Sequence, residues 1–186
     1  MTNLVSMKID ITSYDYTEFD LHTLSQVAKI ENLSITYSGG SCVFENVDQL
    51  ANLQRLRRLR LGGDGNVLKV IKGDYGCNVL KRVSGLDLEF LDLSGTMLVD
   101  YRSLKGICVR DLIAPLFFSF YALPEDLEEL DCSCSFFPMT SVNALPGLRK
   151  LKTIVVEKDF LVLINKFVKT KILDQWGDTI KLEIQH

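Results

Sequence analysis

Residues 53–65 read LQRLRRLRLGGDG, with Arg55, Arg57, Arg58 and Arg60 falling inside six residues and a glycine-rich turn behind them. As a basic patch leading into a phosphate loop, the stretch would mark a nucleotide or nucleic-acid protein. As a strand, it carries apolar residues at Leu56, Leu59 and Leu61, the spacing L-x-x-L-x-L. The rest of the chain decides between the two, because a spacing that recurs organises a fold and a solitary one does not.

The spacing recurs. It stands at Leu4, Met7, Ile9; at Ile30, Leu33, Ile35; at Leu88, Leu91, Leu93; at Leu127, Leu130, Cys132; and at Leu151, Ile154, Val156. Val109, Leu112 and Ala114 make a degenerate copy, and Gly177, Ile180 and Leu182 a weak last one. The third apolar position is thus residue 9, 35, 61, 93, 114, 132, 156 and 182, giving steps of 26, 26, 32, 21, 18, 24 and 26. This phase makes an independent prediction. Three residues past the last apolar one, the chain must turn, and a polar side chain can tie the backbone there. Those positions are Thr12, Ser38, Asp64, Thr96, Phe117, Ser135, Asp159 and Gln185, and only Phe117, in the degenerate copy, is apolar.

The pattern resembles that of leucine-rich repeat proteins, L-x-x-L-x-L-x-x-N/C-x-L, over nearly the whole chain, with Thr, Ser or Asp where the family most often has Asn. The resemblance implies an α/β solenoid of about seven to eight repeats: a curved right-handed coil with a parallel β-sheet on its concave face and helices or helical turns on its convex face. It implies one domain over residues 1–186, with an insertion at about 62–80 and a capping segment at about 159–186 that includes Phe167 and Trp176. One repeat alone cannot bury its apolar face, so neighbours must stack into a continuous core. The linking segments DLHTLSQVAKI, VFENVDQLANLQRL, MLVDYRSLKGI, TSVNALPGLRKL and FLVLINKFVKTKIL carry apolar residues three or four apart, the spacing of one helical face. Their wording is similar to the short helix-backed repeats of cytosolic members, and LPEDLEEL to the tighter LPxxL repeats of some bacterial effectors.

Side chains alternate along a strand, so the residues between the leucines point onto the concave face. Among them, Lys8, Asp10, Arg58, Arg60, Phe90, Asp92, Asp111, Ile113, Glu129, Asp131, Val155 and Lys181 are the candidate binding residues. Charges segregate: the arginine pair sits in the third copy, and Asp92, Asp111, Glu129 and Asp131 form an acidic run over the next three. Phe90, Ile113 and Val155 add apolar points. Such a face is either a solvated sheet or a protein-binding surface whose apolar anchors sit among register-fixing charges. Since family members usually serve as recognition scaffolds, the second reading leads: a non-enzymatic protein-interaction scaffold, monomeric, with a protein partner. A targeting module of a ubiquitin-ligase or secreted-effector system is the alternative. Nucleic-acid binding through Arg58 and Arg60 ranks below both.

Other chemistry finds little support. GGDGNVLKVIKGDYGCN, residues 62–78, lacks the G-x-x-x-x-G-K-[ST] wording that brings amides, a lysine and a hydroxyl to phosphates and magnesium. It also lacks the ligand spacing of a calcium loop. A closed zinc site at Cys132 and Cys134 needs two further ligands, imidazole comes only from the distant His22 and His186, and the repeat phase puts Cys132 in the core instead. His22 falls on a convex segment without a neighbouring nucleophile. No cofactor, metal or catalytic residue is therefore expected. The five cysteines, at 42, 77, 108, 132 and 134, lack a disulfide or metal rhythm and read as buried, reduced thiols. A net charge of −3 from 21 basic and 24 acidic residues provides no global field toward phosphate backbones or anionic lipid. The first residues lack the pattern of a secretory signal, and the longest apolar run, LIAPLFFSFYAL, is broken by Pro115 and too short to cross a bilayer. A cytoplasmic protein without a membrane span is the expectation.

Overall fold

The leucine spacing folds as parallel strands. The structure, a computed structural model, describes residues 4–13, 17–27, 29–39, 42–63, 83–96, 101–157 and 181–185. The strands are β1 (Ser6–Ser13), β2 (Thr17–Asp20), β3 (Asn32–Gly39), β4 (Cys42–Glu45), β5 (Arg58–Gly63), β6 (Asp87–Asp92), β7 (Cys108–Ile113), β8 (Glu129–Asp131), β9 (Thr153–Glu157) and β10 (Lys181–Gln185). Eight of them form one sheet in the order β1-β3-β5-β6-β7-β8-β9-β10, and β2 pairs with β4 in a second, two-stranded sheet. Every pairing is parallel. Parallel neighbours need a crossover, and here each described crossover carries a 3₁₀ turn. These span Leu21–Gln26, Val47–Asn52, Tyr101–Gly106, Phe120–Ala122 and Met139–Gly147.

One hydrophobic cluster runs between the large sheet and the 3₁₀ turns. Leu33, Ile35, Leu59, Leu61, Leu91, Leu93, Leu112, Ala114, Leu130, Cys132, Ile154 and Val156 are buried there, together with Leu24, Leu50, Leu53, Leu104 and Leu145 from the crossovers. The copy called degenerate from sequence is thus a full repeat, with Val109, Leu112 and Ala114 all in the core. Its Phe117 is exposed but still holds the turn by its backbone, in an isolated parallel bridge to Phe136, and the two rings stack with centroids 5.6 Å apart. Beneath them Phe118, Phe120 and Phe137 pack ring against ring at 4.7 to 5.1 Å.

Five expectations need correction. The last copy is set two residues late: Leu182 aligns with Ile154 and Ile184 with Val156, so Leu182 is the second apolar position and not the third. Alternation has period two and isoleucine or leucine stands at 180, 182 and 184, so sequence alone cannot separate two phases two residues apart. Thr12 and Ser38, expected at turns, still lie inside β1 and β3, and their hydroxyls meet at 3.3 Å. The start of VFENVDQLANLQRL is strand β4, so that crossover is helical only from Val47. The third outward position is buried in three of the middle copies, at Gly62, Pro115 and Ser133, and half-buried at Ser94. A side chain at Gly62 would meet the Ser94 carbonyl oxygen at 3.1 Å, so the close approach of β5 to the turn after β6 favours glycine there. Finally, Cys132 is buried, but Cys108 and Cys134 are exposed. Cys108 begins β7 ahead of its first core position, and Cys134 sits in the turn after β8.

Beyond its first two glycines, the insertion expected at 62–80 lies outside the described residues. So does the capping segment at 159–186 apart from the β10 backbone, with Phe167, Trp176, His186 and the helical reading of FLVLINKFVKTKIL.

Candidate functional site

Strand register brings the scattered candidates into rows on the face of the large sheet that points away from the core. One row is Ser6, Asn32, Arg58, Phe90, Asp111, Glu129, Thr153, Lys181. The next is Lys8, Ser34, Arg60, Asp92, Ile113, Asp131, Val155, Glu183. Asp10 follows in a third row beside Thr36 and Gly62. All twelve candidates therefore lie on strands of one sheet. For Lys181 the structure describes the backbone only.

The basic end of the face is already engaged. The Arg58 guanidinium lies 4.6 Å from the centre of the Phe90 ring, so the ring's negative face holds a cation that stays exposed. Arg60 Nε stands 3.1 Å from Asp92 Oδ2. Asp92 is buried, and its other oxygen accepts from the Ser94 backbone N–H at 2.8 Å. Asp92 is thus a turn-holding residue and does not present itself to a ligand. Lys8 Nζ pairs with Asp10 Oδ2 at 2.8 Å, and the Thr36 hydroxyl donates to the other oxygen of Asp10. The lysine, and then the threonine, hold the Asp10 carboxyl below the usual carboxylate range.

The acidic end behaves differently. Asp131 Oδ1 accepts from the Ser133 N–H at 3.0 Å and from its hydroxyl at 2.6 Å, tying the turn after β8 as Asp92 ties the turn after β6. Asp111 and Glu129 form no ion pair among the described residues. They border a shallow depression of about 330 Å³ with Phe90, Ile113, Asp131, Thr153 and Val155. Carboxylates and apolar side chains alternate around it, a combination that fits a cation carried on an apolar stem. Asp111 and Glu129 repel phosphate, and Asp111 lies two strands from Arg58 and Arg60, which ranked lowest as a nucleic-acid site.

Sequence reading missed the row that introduces this face. Glu31, Arg57, Glu89, Arg110, Glu128 and Lys152 each precede the first outward residue of their strand, and their signs alternate. Backbone bonds of 2.7 to 2.8 Å link Arg57 to Glu31, Glu89 to Arg57, Glu128 to Arg110 and Lys152 to Glu128. Side chains follow: Arg110 Nη2 meets Glu89 Oε1 at 3.2 Å, Lys152 pairs with Glu128, and Arg57 reaches Asp87 at 3.9 Å. The signal was legible as the charge one residue ahead of each outward position, compared across copies.

Away from the face, the Cys132 thiol donates to the Val155 carbonyl at 3.3 Å, and burial, then the nearby Asp131 charge, pushes its pKa far up. It is a core residue and not a nucleophile. His22 is exposed in the Leu21–Gln26 turn. Among the described residues no three His, Cys, Asp or Glu side chains group as a metal site, and no helix is long and apolar enough to cross a membrane.

No family model matches the chain, and no curated protein matches it. Solved structures do match, among them an internalin of Listeria monocytogenes, 13% identical with a TM-score of 0.47, over 96% of this chain and 43% of that one. The chain therefore spans less than half the length of that structure.

Proposed function

We propose that the chain is a leucine-rich repeat protein that acts without catalysis, binding a protein partner on the open, concave face of its large sheet. One observation carries the reading: Asp111 and Glu129 stand without an ion pair among apolar side chains, while in the row beside them Arg110 pairs with Glu89 and Lys152 with Glu128 across strands. Charges that the fold does not use, clustered by sign around apolar points, are what a complementary surface needs for orientation and register. The Arg58–Phe90 pair at the other end offers an aromatic and arginine anchor, the residue types that dominate interface energy. The partner would present a basic side chain on an apolar stem to the depression and an acidic group to Arg58.

Affinity capture with the wild-type chain, an Asp111→Lys/Glu129→Lys variant and an Arg58→Glu variant tests this. A protein retained by the wild type should lose on the order of 100-fold in affinity for the double variant, because like charges meet across a desolvating interface. If both variants fold and keep every partner of the wild type, the face is only a solvated sheet.

A further inference from the structure

We infer that a second copy of this chain docks on the outer edge of β1, continuing the large sheet through a two-fold axis at Ile9. β1 ends the strand order, so among the described residues its far side is unpaired over eight residues. The Asn32 N–H bonds the Val5 carbonyl, which turns the odd-numbered residues of β1 toward β3. By alternation the N–H and C=O groups of Ser6, Lys8, Asp10 and Thr12 face outward along the edge. The apolar layer is open at the same place. Leu33, Ile35 and Tyr37 are fully buried, but their register partners Met7, Ile9 and Ile11 are only partly covered, and Leu4 and Val5 are exposed. An end repeat with an uncovered core layer needs a cap.

The order of residues along β1 says what the cap is. In SMKIDITS an antiparallel copy centred on Ile9 sets Lys8 opposite Asp10 of the second copy and Asp10 opposite its Lys8. It also sets Met7 opposite Ile11, Ile9 opposite Ile9 and Ser6 opposite Thr12, so charged, apolar and hydroxyl residues all meet their own kind of partner. The outward-facing groups of residues 6, 8, 10 and 12 then bond one another, as an antiparallel ladder demands. Neighbouring registers with the same backbone polarity fail, since one sets Lys8 against Lys8 and the other Asp10 against Asp10. A patch that complements itself in this way closes as a dimer and grows no further. Because the axis is perpendicular to the sheet, both open faces look the same way, and the dimer would present two of them side by side. This stands in place of the monomer expected from sequence.

Sedimentation of the full chain across a dilution series tests the inference, with Lys8→Asp and Asp10→Lys studied alone and mixed. The wild type should reach twice the 21.0 kDa of one chain. Each variant alone meets like charges at the axis and should sediment as a monomer. An equal mixture of the two restores both opposite-charge pairs and should return to the doubled mass. Wild type that stays monomeric at the highest concentration, or assembles beyond a dimer, overturns the proposal. So do variants that dimerise as the wild type does, or a mixture that stays monomeric.

Discussion

Two rows of side chains cross the sheet one residue apart and treat charge in opposite ways. In the row from Glu31 to Lys152 signs alternate from strand to strand, and four of the charges pair within it, Arg110 with Glu89 and Lys152 with Glu128. In the row from Asn32 to Thr153 the cation Arg58 is separated by Phe90 from two adjacent anions, Asp111 and Glu129, which pair with nothing among the described residues. Opposite charges across neighbouring strands favour the observed register, and like charges side by side oppose it. The first row therefore serves the fold. The adjacent anions of the second give the fold no such help. Net charge and composition hide this contrast, because both rows draw on the same residue types.

The sharpest way to break the comparison is to treat all open-face aspartates as equivalent. Asp92→Ala removes a buried carboxylate that holds the Ser94 N–H and Arg60, and should cost about 1–3 kcal/mol in denaturant unfolding. Asp111→Ala removes a side chain with no such bonds and should stay within about 0.5 kcal/mol of the wild type. Equal losses would mean that burial does not divide the acidic run into turn-holding and presenting members.

A smaller effect is expected in the paired row. Arg110→Glu sets like charges at Glu89 and beside Glu128, and should cost about 0.2–1 kcal/mol in the same measurement, less at high salt. Its effect on a partner that depends on Asp111 and Glu129 should be minor. A large loss of affinity would merge the two rows into one interface.

How much of this was legible in the sequence follows from what each residue depends on. The leucine phase was, since L-x-x-L-x-L marks residues that must be buried together, and the register aligns it from β1 to β9 without slippage. The outward rows followed by alternation. The last phase was not, because Ile180, Leu182 and Ile184 fit two settings equally and only pairing with Ile154 and Val156 chooses between them. Nor was the division of the acidic run. Asp92 and Asp131 end their strands and accept from the N–H of the serine two residues on, whereas Ile113, two residues past Asp111, still belongs to β7, and only the strand's end decides which aspartate reaches a turn. Phe117 broke the polar rule at a turn because a backbone bridge to Phe136 replaced the side-chain tie.

Acid separates the charges the fold uses by a smaller effect still. Among the described residues three carboxyls have lowered pKa values: Asp10 through Lys8 and Thr36, Asp20 through the Asn46 amide and the His22 N–H, and Glu128 through Lys152. Their ordinary values are 3.8, 3.8 and 4.5. A carboxyl whose folded pKa lies below its unfolded one binds protons more readily when unfolded, so its contribution is complete above the unfolded value. That contribution is lost as pH falls through the folded one. Stability should therefore hold down to about pH 5 and decline below it as these groups protonate. Lys152→Gln takes away the cation that lowers Glu128, so its stability above pH 5 should fall slightly and its curve should flatten in acid. A variant curve running parallel to the wild type from neutral pH to strong acid would show that the Lys152–Glu128 pair does not help hold the sheet.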